Sequence, residues 1–268
     1  MNRLPLFLGL VFWWPAGALA AETDKDGIVQ HTLASKFQGK PTLIRVLLPD
    51  QLEKGKRYRV IYVLPVEAGS ESRFGDGLLE VKKLDLHNKL SVVFVAPTFS
   101  QLPWYADHPA DAGKQQESYL LKDVLPFIEK NYPVSAERKG RLLLGFSKSG
   151  CGAFTLLLRH PDVFERAAAW DAPVALDKPA YGGADIFGTQ ENYENYRIDK
   201  LLASKGKQLG KEKRLALTGY NNFRKHHQTI HALLDKLEIP HEYRDEKKDR
   251  HHWNAGWIED SARFLVGE

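Results

Sequence analysis

Ser147, Asp171 and His251 occur along the chain in an order that could serve covalent catalysis: a nucleophile, then an acid, then a base. Ser147 lies in Leu142–Gly152, LLLGFSKSGCG, where an apolar run ends at Gly145 and small residues return at Ser149, Gly150 and Gly152. AFTLLLRHP, helical in pattern, follows. A strand that turns sharply into a helix crowds its own backbone, so small residues must flank the turn while a serine at its apex stays exposed above the sheet. The pattern G-x-S-x-G is met only in part, because Ser149 stands where the second glycine would be. The window alone fits an ordinary turn or N-cap serine better than a catalytic one. Cys151, four residues on, is better placed to pack under the turn than to act as nucleophile.

A serine hydroxyl needs a base within hydrogen-bond reach and an acceptor that fixes the base's tautomer. His251 is the best-placed base, in a charged loop between the last strand and the last helix, with His252 as runner-up. Adjacent loop histidines usually point apart, so at most one should meet Ser147. Asp171 follows directly on a buried strand, one strand after the serine, and could face the same crevice or cap the next turn. His227 and His231 have a metal-ligand spacing on a helix, but only Gln228, Thr229 and Ile230 lie between them, with no acid to act as base. The site is therefore expected to need neither metal nor cofactor.

The elements that must position these residues alternate. Ile28–Leu33 and Thr42–Leu48 read as antiparallel strands about a turn at 38–41, and Arg57–Leu64, Ser91–Ala96, Phe164–Trp170 and Arg214–Thr218 as buried strands. Ile239–Arg244 is a polar strand near an edge. Helices are expected over Leu78–Asn88, Gln116–Tyr132 with a kink at Pro126, Phe223–Leu237 and Ile258–Val266. Strands alternating with helices make βαβ units, so the expected fold class is α/β, a mostly parallel central sheet with helices on both faces. Ligands bind beyond the carboxyl ends of such strands. Two segments break the rhythm there: the loop 97–114, with Trp104 and Tyr105 as a candidate substrate wall, and residues 178–204, a candidate lid or insertion.

Of 268 residues 43% are apolar and 27% charged, which sets disorder aside and allows one large domain. Arg3, the apolar run Leu4–Trp14 and the small-x-small Ala18–Ala20 read as a signal peptide, residues 1–20, cut after Ala20. That leaves one domain, 21–268, exported to the periplasm or beyond, with no stable membrane span in the mature chain. A single cysteine permits no internal disulfide. Net charge is +4 and the basic residues are dispersed apart from Lys205–Arg214, a solvated edge, so nucleic acid is not expected as a partner.

RVIYVLP, VVFVAP with Trp104-Tyr105 after it, LLKDVLPFIEKNYPV, the long LLLGFSKSGCGAFTLLLRHPDVFERAAAW and IPHEYRDEKKDRHHWNAGW together resemble the putative esterase family of α/β-hydrolases. That family includes esterase D, the S-formylglutathione hydrolases, antigen 85 mycolyltransferases, and feruloyl and acetylxylan esterases. The resemblance runs from Ile28 to the C-terminus. It implies hydrolysis of a carboxylic ester, or acyl transfer, through an acyl-Ser147 with His251 as base; with the signal peptide, the expectation is an exported serine esterase acting on short-chain or carbohydrate-linked acyl esters. Oxyanion hydrogen bonds would come from the backbone N–H of Lys148 and that of Val66 or Glu67. Three positions depart from the family: Pro65-Val66 replaces His-Gly, Ser149 replaces glycine, and GYNNF offers Asn221 and Asn222 where the family's acid lies. The resulting expectation is a Ser147–His251–Asp171 triad with Asn222 in support. A catalytically impaired, hydrolase-like protein that binds a ligand or glycan is the alternative.

Overall fold

The structure, a computed structural model, describes residues 21–268; the signal-peptide reading of residues 1–20 lies outside the described residues. Nine strands form one sheet: β1 (Ala21–Thr23), β2 (Val29–Leu33), β3 (Thr42–Leu47), β4 (Val60–Leu64), β5 (Val93–Pro97), β6 (Arg141–Phe146), β7 (Arg166–Trp170), β8 (Leu215–Leu217) and β9 (His241–Tyr243). Their order is β1-β2-β3-β5-β4-β6-β7-β8-β9. β1, β2 and β3 run antiparallel to their neighbours, and β5 through β9 in that order are parallel. β1 and β9 are the edge strands, and β9 is in the position its polar sequence suggests.

The α-helices are α1 (Gly77–Lys83), α2 (Leu86–Lys89), α3 (Gln116–Tyr119), α4 (Leu125–Asn131), α5 (Lys148–Arg159), α6 (Ala184–Phe187), α7 (Gln190–Glu194), α8 (Ile198–Lys205), α9 (Arg224–Lys236) and α10 (Ile258–Val266), with 3-10 turns at Arg138–Gly140 and Gly206–Leu209. The alternation of side chains along a strand divides the apolar residues between two cores. Leu143, Tyr62 and Leu217 lie in one with Phe154, Leu157, Ile230 and Leu234. Leu142, Leu144 and Phe146 lie in the other with Leu78, Val81, Ile258 and Leu265. Both faces of the sheet are thus covered.

Two expected helices are modified. Leu78–Asn88 divides at Asp85, whose φ of 59° interrupts the helical path between α1 and α2. Gln116–Asn131 is continuous, but Leu120–Val124 is a π turn. Pro126 has no N–H to give and its ring crowds the carbonyl four residues back, and the wider turn just before it relieves both. The insertion 178–204 is partly helical, as expected, and its Phe187, Tyr193, Tyr196 and Ile198 are buried in the core. Glu117 holds it down: its carboxylate accepts from Arg159, His160 and the Tyr196 hydroxyl. Burial works against that charge, but His160 and Arg159 draw its pKa down to about 2.

Candidate active site

The parallel ladder sets the site's layout before any side chain is considered. Leu64 of β4 pairs with Gly145 of β6, and Phe146 of β6 pairs with Trp170 of β7. Pro65, Ser147 and Asp171 are therefore the first residues beyond three adjacent strands, and their levels differ by no more than one residue. Ser147 occupies the turn into α5 with φ 52° and ψ −127°, a conformation side-chain-bearing residues avoid, and its N–H is tied to the Trp170 carbonyl at 3.0 Å. The crowding is real: a Cβ on Gly145 would lie 2.2 Å from the Ser149 carbonyl oxygen. Ser149 in place of glycine is accommodated because its buried hydroxyl donates to the Phe146 carbonyl at 2.8 Å and accepts from the Phe146 N–H at 2.9 Å.

Asp171 is fully buried and uses both carboxylate oxygens. Oδ1 accepts from the backbone N–H groups of Asn222 and Phe223, each at 2.8 Å, and Oδ2 accepts from His251 Nδ1. The turn-capping and histidine-facing readings of this residue both hold, one on each oxygen. Burial would raise its pKa, but the His251 bond and the backbone donors outweigh that and hold it below the ordinary aspartate value. His251 is clamped by aromatic rings: Phe146 at 4.4 Å between centroids, Phe74 at 5.6 Å, Phe223 at 5.7 Å and Trp170 at 6.2 Å. With Nδ1 engaged by Asp171, Nε2 is the nitrogen left for other work. Among the described residues no hydrogen bond joins it to the Ser147 hydroxyl; such contacts often tighten only once substrate is bound.

The backbone N–H groups of Lys148, Val66 and Glu67 have no hydrogen-bond partner among the described residues. They lie after β6 and β4, the adjacent strands. The Val66 loop is held from below, where the Tyr105 hydroxyl donates to the Pro65 carbonyl at 2.6 Å. The Glu67 carboxylate ties the same loop to itself by accepting the Phe74 N–H at 3.2 Å. A cleft of about 250 Å³ beside the loop is lined by Val66, Glu67, Arg45, Asp76 and Trp253, but by neither Ser147 nor His251.

Several residues fill other places than their sequence context suggests. Trp104 and Tyr105 are buried and do not form an open wall; the Tyr105 ring fills the space over Gly152, where a Cβ would lie 2.1 Å from it. Asn222 supports Asp171 through its backbone N–H, so its amide side chain is not what matters. His252 points to the other side, packed on Gly75 and accepting from the Asn254 N–H at 3.3 Å. Cys151 is buried and burial pushes its thiol pKa up, which keeps it a neutral packing group. His227 is neither solvated nor paired with His231: its Nε2 accepts the N–H of Ala172, next to Asp171, at 2.9 Å. Its helical spacing carries no sign of this role, since its partner lies in the loop after β7, distant in sequence.

A sequence model of the family described as Putative esterase matches residues 35–260. An esterase of Mycobacterium tuberculosis is 28% identical over 137 residues, half of this chain but only 29% of that protein's length. An S-formylglutathione hydrolase from Agrobacterium tumefaciens superposes with a TM-score of 0.74 at 15% identity, covering 92% of this chain and 97% of the other. A ferulic acid esterase does so with 0.70 at 23% identity, covering 89% and 96%. MPT51 of Mycobacterium tuberculosis gives 0.62 at 14% identity, covering 92% and 97%. The fold of this chain is that of the α/β-hydrolases.

Proposed function

Because the chain belongs to the putative esterase family, we propose that it hydrolyses a carboxylic ester by way of an acyl group carried on Ser147. The observation that carries this reading is the hydrogen bond between His251 Nδ1 and the buried Asp171, with the His251 ring packed on Phe146, the residue before the strained turn at Ser147. The bond fixes the neutral imidazole with its proton on Nδ1 and a lone pair on Nε2, the form a general base must have. Nε2 takes the Ser147 proton as the oxygen attacks the ester carbonyl. Asp171 stabilises the imidazolium that results, and the N–H groups of Lys148 and Val66, or Glu67, receive the oxyanion. Collapse of the tetrahedral intermediate breaks the bond to the alcohol oxygen, which leaves with the proton from Nε2. Water, activated by the same nitrogen, then releases the acid and restores Ser147.

Proteins of similar fold include an S-formylglutathione hydrolase and ferulic acid esterases, which supports an ester of a short-chain or carbohydrate-linked acyl group as the substrate we propose. Arg3, the apolar run after it and Ala18–Ala20 support export, with the mature chain beginning at Ala21. Rapid-mixing hydrolysis of p-nitrophenyl acetate tests the covalent step. One equivalent of nitrophenol should appear in a burst before steady turnover, and Ser147→Ala should lose both phases. Turnover that survives Ser147→Ala would refute the acyl-serine route, while no turnover in the folded parent would favour a ligand-binding protein.

A further inference from the structure

The last two turns of α9 and the start of β9 place three ligating side chains together. His231 and Asp235 stand one helical turn apart on the same face of α9, and His241 is the first residue of the edge strand. One nitrogen from each histidine and one carboxylate oxygen lie within 4.8 Å of one another. His241 Nε2 is 2.7 Å from His231 Nδ1. The Asp235 carboxylate lies 3.5 Å from His231 Nε2 through one oxygen and 3.9 Å from His241 Nε2 through the other. The Tyr243 ring stacks on His231 at 3.9 Å between centroids and fixes its plane.

The tautomers follow from the partners. His241 Nδ1 lies 2.9 Å from the Ile239 carbonyl, which can only accept, so Nδ1 carries the hydrogen and Nε2 presents a lone pair. A backbone carbonyl orienting one ring nitrogen while the other is free is the arrangement found behind metal-bound histidines. That lone pair now receives the proton of His231 Nδ1.

We infer that His231, Asp235 and His241 form a binding site for a divalent transition-metal cation, Zn²⁺ in particular, that ties the end of α9 to the edge strand β9. The cation takes the position of the proton shared by the two rings. Ligands at about 2.0–2.1 Å in a tetrahedral arrangement stand roughly 3.3 Å apart, so the rings need to separate by only about half an ångström. His231 exchanges its Nδ1 proton for one on Nε2 and stays neutral. One Asp235 oxygen then accepts from that Nε2–H while the other reaches the metal. Two imidazoles and a carboxylate suit Zn²⁺ and disfavour Mg²⁺ and Ca²⁺, which take oxygen ligands. Water completes the coordination.

Binding to the folded chain alone raises its stability by mass action. None of the three residues belongs to the proposed ester-cleaving machinery, so the result is independent of that reading. Thermal unfolding of the full chain after EDTA treatment is the test. Added Zn²⁺ should raise Tm by roughly 5 °C at an excess of about a hundred Kd, and the rise should continue with the logarithm of the free metal concentration. Mg²⁺ should do nothing, and His231→Gln or His241→Gln should abolish the rise. Asp235→Asn should weaken binding about tenfold. If a variant does not fold, visible absorption of Co²⁺ on the parent chain, displaced by Zn²⁺, is the second reading. Absence of a Zn²⁺-dependent rise, an equal rise in both glutamine variants, or absence of Co²⁺ bands would each overturn the site.

Discussion

Asp171 keeps a full negative charge where water does not reach, and two backbone N–H groups and His251 are what let it do so. Replacing it with asparagine should leave the shape and reverse the role: an amide can donate to Nδ1, which favours the wrong imidazole tautomer. The expected loss in kcat is on the order of 10³–10⁴-fold at unchanged fold, measured on any chromogenic ester. Cys151 should behave oppositely. Its buried neutral thiol should resist iodoacetamide in the native chain, and Cys151→Ala should keep hydrolysis within about twofold. Ser147, Asp171 and His251 were legible as candidates because each lies just beyond or between recognisable elements, and the chain order is itself a pattern. Tyr105 and His227 were not. An aromatic in a long loop and a histidine on a helix reveal nothing about what lies over them until the sheet is assembled.

At the scale of elements, the site depends on three adjacent strands ending within one residue of the same level and on the props beneath their loops. Tyr105→Phe removes the hydroxyl that holds the Pro65 carbonyl, and should lower kcat about tenfold with a small change in Tm, because it loosens an oxyanion donor without opening a cavity. α9 braces the Asp171 loop through His227, whose pKa burial draws down to about 4. The unfolded chain takes up that proton near 6.5, so the contribution of His227 is complete above about pH 6.5 and is lost as pH falls from there towards 4. The loss is on the order of 3 kcal/mol, and His227→Gln should flatten that limb of a stability-against-pH curve. The strands, the helix after the elbow and the polar edge strand followed from periodicity. The break at Asp85 and the π turn before Pro126 did not, because each answers a local backbone conflict that hydrophobic spacing does not record.

The whole molecule is a sheet with apolar residues on both faces, and its stability comes from those two cores rather than from cross-links, since it has one cysteine. Its alternating pattern made the α/β class readable. The altered loop at Pro65-Val66 was readable as a departure from the family, but the burial of the Trp104 segment under the insertion was not, because it depends on contacts between distant stretches. If the chain is exported as proposed, N-terminal sequencing of the secreted or periplasmic form should begin at Ala21; a sequence starting at Met1 would contradict export by cleavage. The catalytic reading rests on Ser147 being an activated nucleophile, and reaction with a fluorophosphonate probe followed by peptide mapping tests it most directly. The account predicts one modified residue, Ser147, with labelling lost in Ser147→Ala and slowed in Asp171→Asn. An unlabelled native chain, or a label on any other residue, would contradict it.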